Sequence, residues 1–220
     1  GRVRIDDRHL DVDVSDPTRG GLAVRAVGQV AGDRLELSSF RASALPGLPR
    51  GLLQAEGSVQ LVAPWALKGR GRFAGLVLAA LQALRPGLLT RPVAGTLEGG
   101  WTLDGLFGDA QHPRRLEGTL LVDRGALAGQ PLKAQASGRF DVDHLVDLVL
   151  ALEVGPNRLR AGGAYGRAGD RIDYQLDAPS VGPLAALAGL PAIEGAIDAR
   201  GSWRGDPLHP ELSVEGGATR

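Results

Sequence analysis

The residues of this chain that could do chemistry are four histidines, several closely spaced carboxylates, one Gly-Arg run and three tryptophans. His9, His112, His144 and His209 lack metal-ligand spacing, and His112 and His209 precede proline, so all four read as structural or surface groups. Asp11-Val12-Asp13 and Asp141-Val142-Asp143 each put two carboxylates on one face of a strand, which general acid/base catalysis or a calcium ion could use. A glycan-cleaving pair would also need a catalytic separation in a cleft. Charges alternate along almost every strand-like segment, so a solvated face matched by nearby arginines accounts for both pairs. Gly69-Arg70-Gly71-Arg72-Phe73 has the glycines of a phosphate cradle but neither the strand-to-helix context nor a trailing Lys-Ser/Thr, and reads as a turn. Asn157 is followed by Arg158-Leu159, which is no glycosylation acceptor, and turn geometry explains it. Trp65, Trp101 and Trp203 fit either packing at strand ends or ligand contact. No catalytic, cofactor-binding or metal-binding residue is assigned, and the expectation is a protein that is not an enzyme.

These side chains ride on segments that alternate with a period of two. Val93, Gly95, Leu97, Gly99, Trp101 and Leu103 are apolar or glycine, with Thr96, Glu98 and Thr102 between them, so one face of a strand is greasy and the other wet. Leu132, Ala134, Ala136, Gly138, Phe140 and Val142 alternate as cleanly against Lys133, Gln135, Arg139 and Asp141. Similar rows run through Leu10–Val14, Leu22–Val30, Leu53–Ala63, Leu116–Val122, Leu148–Val154 and Ile172–Ala178. The residues of Val3–Val14 suit two short strands, or one strand broken in register at Asp6-Asp7. Gly32-Asp33, Gly155-Pro156-Asn157 and Gly169-Asp170 supply turns. Two stretches depart from alternation: the Ala/Leu run between Phe73 and Leu84, and Pro183–Gly189, each suited to a short helix.

The phrase around Trp101 returns as Ile193, Gly195, Ile197, Ala199, Gly201 and Trp203, 102 positions after its first occurrence. His112-Pro113 and His209-Pro210 echo each other at 97. Units of about one hundred residues are expected, near 1–92, 93–192 and an incomplete 193–220, stacking into an elongated all-β sheet. At 43% hydrophobic the 220 residues can bury real apolar surface, yet aromatics are only 4%. Lys plus Arg and Asp plus Glu number 25 each, leaving no basic field for nucleic acid. Cys and Met are absent, which removes disulfide and thiolate-metal chemistry. The chain starts at Gly1 without an initiator Met and breaks off in a Gly-rich turn at Gly216–Arg220, so it is read as a piece of a longer protein. No apolar run approaches the roughly 20 residues of a membrane-spanning helix, so any such segment, the anchor included, is expected outside it.

Several phrases in combination resemble one family. They are Leu132–Asp141, Leu152–Gly163 through Gly155-Pro156-Asn157-Arg158, Gly169–Pro179, and Gly201-Ser202-Trp203 leading to Asp206-Pro207-Leu208-His209-Pro210. From about Val93 to Gly216 the chain resembles the TamB family, the AsmA-like translocation and assembly module proteins of Gram-negative bacteria. The resemblance implies a sheet curled into a taco-like groove with an apolar concave face, in the periplasm, within an inner-membrane-anchored protein. It further implies phospholipid movement between the inner and outer membranes, and partners in phospholipid acyl chains, an Omp85-class outer-membrane barrel like TamA, and nascent outer-membrane proteins. Candidate lipid-lining residues are Leu97, Trp101, Leu120, Ala134, Ala136, Phe140, Leu150, Leu152, Leu159, Ile172, Leu176, Ile197 and Trp203. The alternative is a scaffold whose open strand edges pair with outer-membrane β-barrel proteins. The alternation itself leaves two outcomes open: the apolar rows pack against another sheet, or they stay uncovered as a groove.

Overall fold

A computed structural model describes residues 2–6, 8–16, 22–45, 48–78, 94–108, 114–127, 129–142, 144–182, 184–185, 194–204 and 211–219. Fourteen strands account for nearly all of them: β1 (Arg2–Asp6), β2 (His9–Asp16), β3 (Leu22–Ala31), β4 (Arg34–Leu45), β5 (Leu48–Gln60) and β6 (Trp65–Val77) in the first part. The rest are β7 (Gly95–Phe107), β8 (Arg115–Leu127), β9 (Gln130–Asp141), β10 (His144–Val154), β11 (Asn157–Tyr165), β12 (Arg171–Ala178), β13 (Ala196–Arg204) and β14 (Glu211–Thr219). Each strand pairs antiparallel with the next, in sequence order, and the sheet is not closed, so the fold is one open all-β meander. Among the described residues only sheet neighbours are in substantial contact, which makes this a single layer with no second sheet on either face.

The turns follow from their residues. Gly32 at φ 58° and Gly155 at φ 57° supply the left-handed backbone that tight hairpins need, between β3 and β4 and between β10 and β11. Asp6 pairs with His9, so Val3–Val14 falls on two strands, β1 and β2, and not on one. Single-residue bulges lie on β4 at Ser38-Ser39, β6 near Gly75, β8 at Asp123-Arg124 and β10 at Val146-Asp147, and the β4–β5 register shifts again between Ser43 and Leu45. Each bulge switches which sequence parity faces the apolar side, so Leu35 and Leu37 share that side with Phe40, and Leu145 shares it with Leu148.

Two local expectations are corrected. Gly69–Phe73 is not a turn but the middle of β6, paired to β5 through Gly69–Gly57 and to β7 through Gly69–Leu103. Its arginines face the polar side, where Arg70 meets Glu56, while its glycines make room for the Trp101 ring. The Ala/Leu run after Phe73 begins as strand, because Leu76 and Val77 pair with Leu97 and Thr96 and this ladder overrides helix propensity. Only Leu78 is helical there, and the remainder lies outside the described residues, as do Val93, His112 and His209. In the second stretch Gly182, Leu184 and Ala185 form one helical turn, Ala185 N donating to Val181 O at 2.8 Å.

Candidate functional site

Partners across an antiparallel ladder project to the same face, so register alone assigns every strand residue to a side. One row crosses eleven strands from β4 to β14: Phe40, Ala55, Gly71, Trp101, Leu120, Ala136, Leu150, Ala161, Tyr174, Gly201 and Val214. A parallel row beside it runs Leu53, Phe73, Gly99, Val122, Ala134, Leu152, Leu159, Leu176 and Ala199. Leu97 and Ile197 stand beyond this second row, whereas Ile172 and Trp203 pair on the opposite side of the first, and Phe140, paired with Leu145, lies further out. All thirteen candidates therefore lie on one face, and none is fully buried. Every Trp, Tyr and Phe of the chain shares it, including Phe40, Trp65, Phe73, Phe107, Tyr165 and Tyr174, which the candidate set lacks. The signal for them was the alternation of their own strands, hidden for Phe40 by the bulge at Ser38-Ser39.

The sheet bends toward this apolar face. A methyl at Gly99 would overlap the Leu121 carbonyl oxygen, and one at Gly201 the Ser213 carbonyl oxygen, so glycine is required where neighbouring strands crowd. Gly100, Gly162 and Gly217, on the other face, meet nothing closer than 3.1 Å. The Trp101 indole lies over Gly69 and Gly71, which is how a single layer covers an aromatic ring without a second sheet.

Burial is uneven along the strands. Towards one set of strand ends Phe73, Val122 (3% exposed), Leu132 (7%) and Val154 (3%) form a closed cluster with Leu76, Leu97, Leu127 and Leu152 around it. Val181 and Ala185 are also buried, Val181 N donating to Gly195 O at 3.1 Å, and Asn157 Oδ1 accepts a hydrogen bond from Ser180 N at 3.1 Å. At the opposite ends Trp65 (51%), Phe140 (44%) and Trp203 (45%) remain exposed. There Tyr165 and Trp203 stack edge-to-face, centroids 5.6 Å apart. His144 Nε2 pairs with Asp170 Oδ2 at 3.0 Å, and the same carboxylate accepts from Arg167 N at 2.7 Å, pinning β10 to the β11–β12 turn.

The other face is charged and satisfied by cross-strand pairs: Lys68–Asp104 at 3.0 Å, Arg124–Glu98 at 2.9 Å and Arg200–Glu215 at 3.3 Å. Its two larger recesses measure about 1010 Å³ over β10–β14 and about 720 Å³ over β3–β8, lined by both signs of charge. A twisted sheet is a saddle, hollow along one diagonal on each face, so recesses over the charged face are compatible with a bend towards the apolar one. Among the described residues no cluster of His, Asp and Glu could hold a metal ion. Asp11 and Asp13, and Asp141 on β9, fall on the charged face, where Arg139 pairs with Asp141 at 3.1 Å.

Fold and face together define an open, single-layer amphipathic antiparallel sheet with one continuous apolar side that no second layer covers among the described residues. No protein-family model, no curated protein and no solved structure matches the chain.

Proposed function

We propose that this chain is part of a periplasmic lipid-transfer conduit of the TamB kind, moving phospholipid between the inner and outer membranes in support of outer-membrane biogenesis. In this reading it belongs to an inner-membrane-anchored protein that works with an Omp85-class barrel, and it carries cargo without transforming it. The observation that carries the reading is the apolar face, continuous in register from β2 to β14 and covered by no second layer among the described residues, whose large side chains are mostly half-buried. An exposed apolar surface of this extent needs an occupant. Each methylene withdrawn from water contributes about 0.8 kcal/mol, so an acyl chain of roughly sixteen carbons gains on the order of 10 kcal/mol before ordering costs. Because the rows continue from strand to strand, that gain persists as the chain slides, and transfer need not cross water.

The test is the lipid content of the purified protein by mass spectrometry, with arginine placed at Ala136 or Leu150, register partners on β9 and β10. Lipid is expected to fall about tenfold in either variant, because a guanidinium has no partner on an apolar surface. Gln135→Arg, one residue away on the charged face, serves as the control and retains its lipid. Lipid retained at the wild-type level in both apolar-face variants would falsify the conduit. Crosslinks from strand backbones to a barrel client, with no lipid at the same positions, would instead favour the strand-pairing scaffold.

A further inference from the structure

The two ends of the apolar face differ in residue type as well as burial. At the exposed ends, Trp65 is the first residue of β6, Phe107 the last of β7, Phe140 the last but one of β9, Tyr165 the last of β11 and Trp203 the last but one of β13. Towards the closed ends the described side chains of the same face are aliphatic apart from Phe73, among them Leu76, Leu97, Leu132, Val154 and Ile197. The turns differ in the same sense. Beyond the aromatic edge come Asp33-Arg34, Arg114-Arg115, Arg167 to Arg171 and Arg204 beside the apolar Leu61-Val62 turn, whereas the closed edge turns through Gly129, Gly155-Pro156 and Pro179-Ser180, where the Glu153–Arg158 pair and Glu194 are the nearest described charges.

Tryptophan and tyrosine have an apolar body and a polar N–H or O–H, and they concentrate where hydrocarbon meets a hydrated polar layer. A row of aromatics between an aliphatic face and charged turns has that composition. We infer that the aromatic edge of β6–β13 fixes the orientation of a bound phospholipid: acyl chains over the aliphatic rows towards the closed ends, glycerol and headgroup level with Trp65, Phe140 and Trp203. This rests on the lipid-transfer reading above. The charged turns then lie beside the headgroup in water, and nothing polar has to enter the closed cluster around Leu132.

The three tryptophans report on this directly, because Trp65 and Trp203 lie on the aromatic edge while Trp101 is an inner residue seated over Gly69 and Gly71. The full chain is loaded with phosphatidylcholine bearing a nitroxide either on the headgroup or near the end of one acyl chain, and free vesicles are removed. Tryptophan emission is then read in variants that keep one tryptophan, the other two being replaced by Phe. Trp65 and Trp203 are expected to lose about twofold more emission to the headgroup label than to the chain label, and Trp101 to show the reverse order. Fluorotryptophan resonances of the unsubstituted chain, broadened by the same lipids, give the ordering should a variant fold poorly. Quenching that does not depend on label position, or headgroup quenching strongest at Trp101, overturns the orientation while leaving lipid carriage standing. No quenching of any tryptophan removes lipid carriage itself. Quenching that vanishes with the vesicles makes the aromatic edge a bilayer-contact surface and overturns the inference.

Discussion

Leu132 and Phe140 sit on the same strand and the same face, eight residues apart, yet one is 7% exposed and the other 44%. The pairing around them is equally regular, since Leu132 faces Gly125 and Val154, and Phe140 faces Leu116 and Leu145. What differs is what stands above the face. At the closed edge, side chains from β5 to β10 converge as the sheet bends. At the aromatic edge no described residue covers the face. In a single layer, apolar alternation guarantees a side but not burial, and burial arises only where curvature or a connection supplies neighbours.

Truncation should expose this difference most strongly. Leu132→Ala is expected to cost about 3 kcal/mol, because it opens a cavity in a closed cluster, whereas Phe140→Ala should cost less than about 1 kcal/mol. Urea denaturation of the two variants checks this, and equal losses would mean that the two edges are packed alike. The next effect tests the bend. Gly99→Ala forces a methyl onto the Leu121 carbonyl oxygen and to within 3.0 Å of the Phe73 ring, for a loss of about 2 kcal/mol, while Gly217→Ala, with nothing within 4 Å, should change stability by less than about 0.5 kcal/mol.

A smaller loss is expected at the aromatic edge itself. Asp170→Asn removes the carboxylate shared by His144 and the Arg167 amide, at about 1 kcal/mol, and should speed hydrogen exchange in the turn from Arg167 to Arg171 more than in β9. Smallest of all is the charged face. A double-mutant cycle on Glu56 and Arg70, both well exposed, should give a coupling below about 1 kcal/mol that shrinks with salt, so that this face contributes solubility more than stability.

The strands, their hairpins at Gly32 and Gly155, and the apolar side of each uninterrupted run were legible from alternation, because a period of two is a local property of the chain. The face shared by the thirteen candidates was legible for the same reason. Three things were not. The strand character of Leu76 and Val77 depends on pairing with β7, which outweighs the helix propensity of a Leu/Ala run. The place of Gly69–Phe73 inside β6 depends on Trp101, thirty residues away, needing glycines beneath its ring. Phe40 joins the apolar row only because a bulge inserts one residue before it, and a bulge has no sequence signature as regular as the alternation it interrupts.

The sequence by itself determined that this chain makes amphipathic strands, with greasy and wet positions in fixed alternation and turns where glycine, proline and aspartate stand. Only the tertiary structure decided that those strands form one open sheet in chain order, with no second layer over the apolar side among the described residues, closed along one edge and aromatic along the other. The reason is physical: alternation sets which way a side chain points, whereas neighbours across the sheet, its curvature and the register shifts between strands decide what that side chain meets.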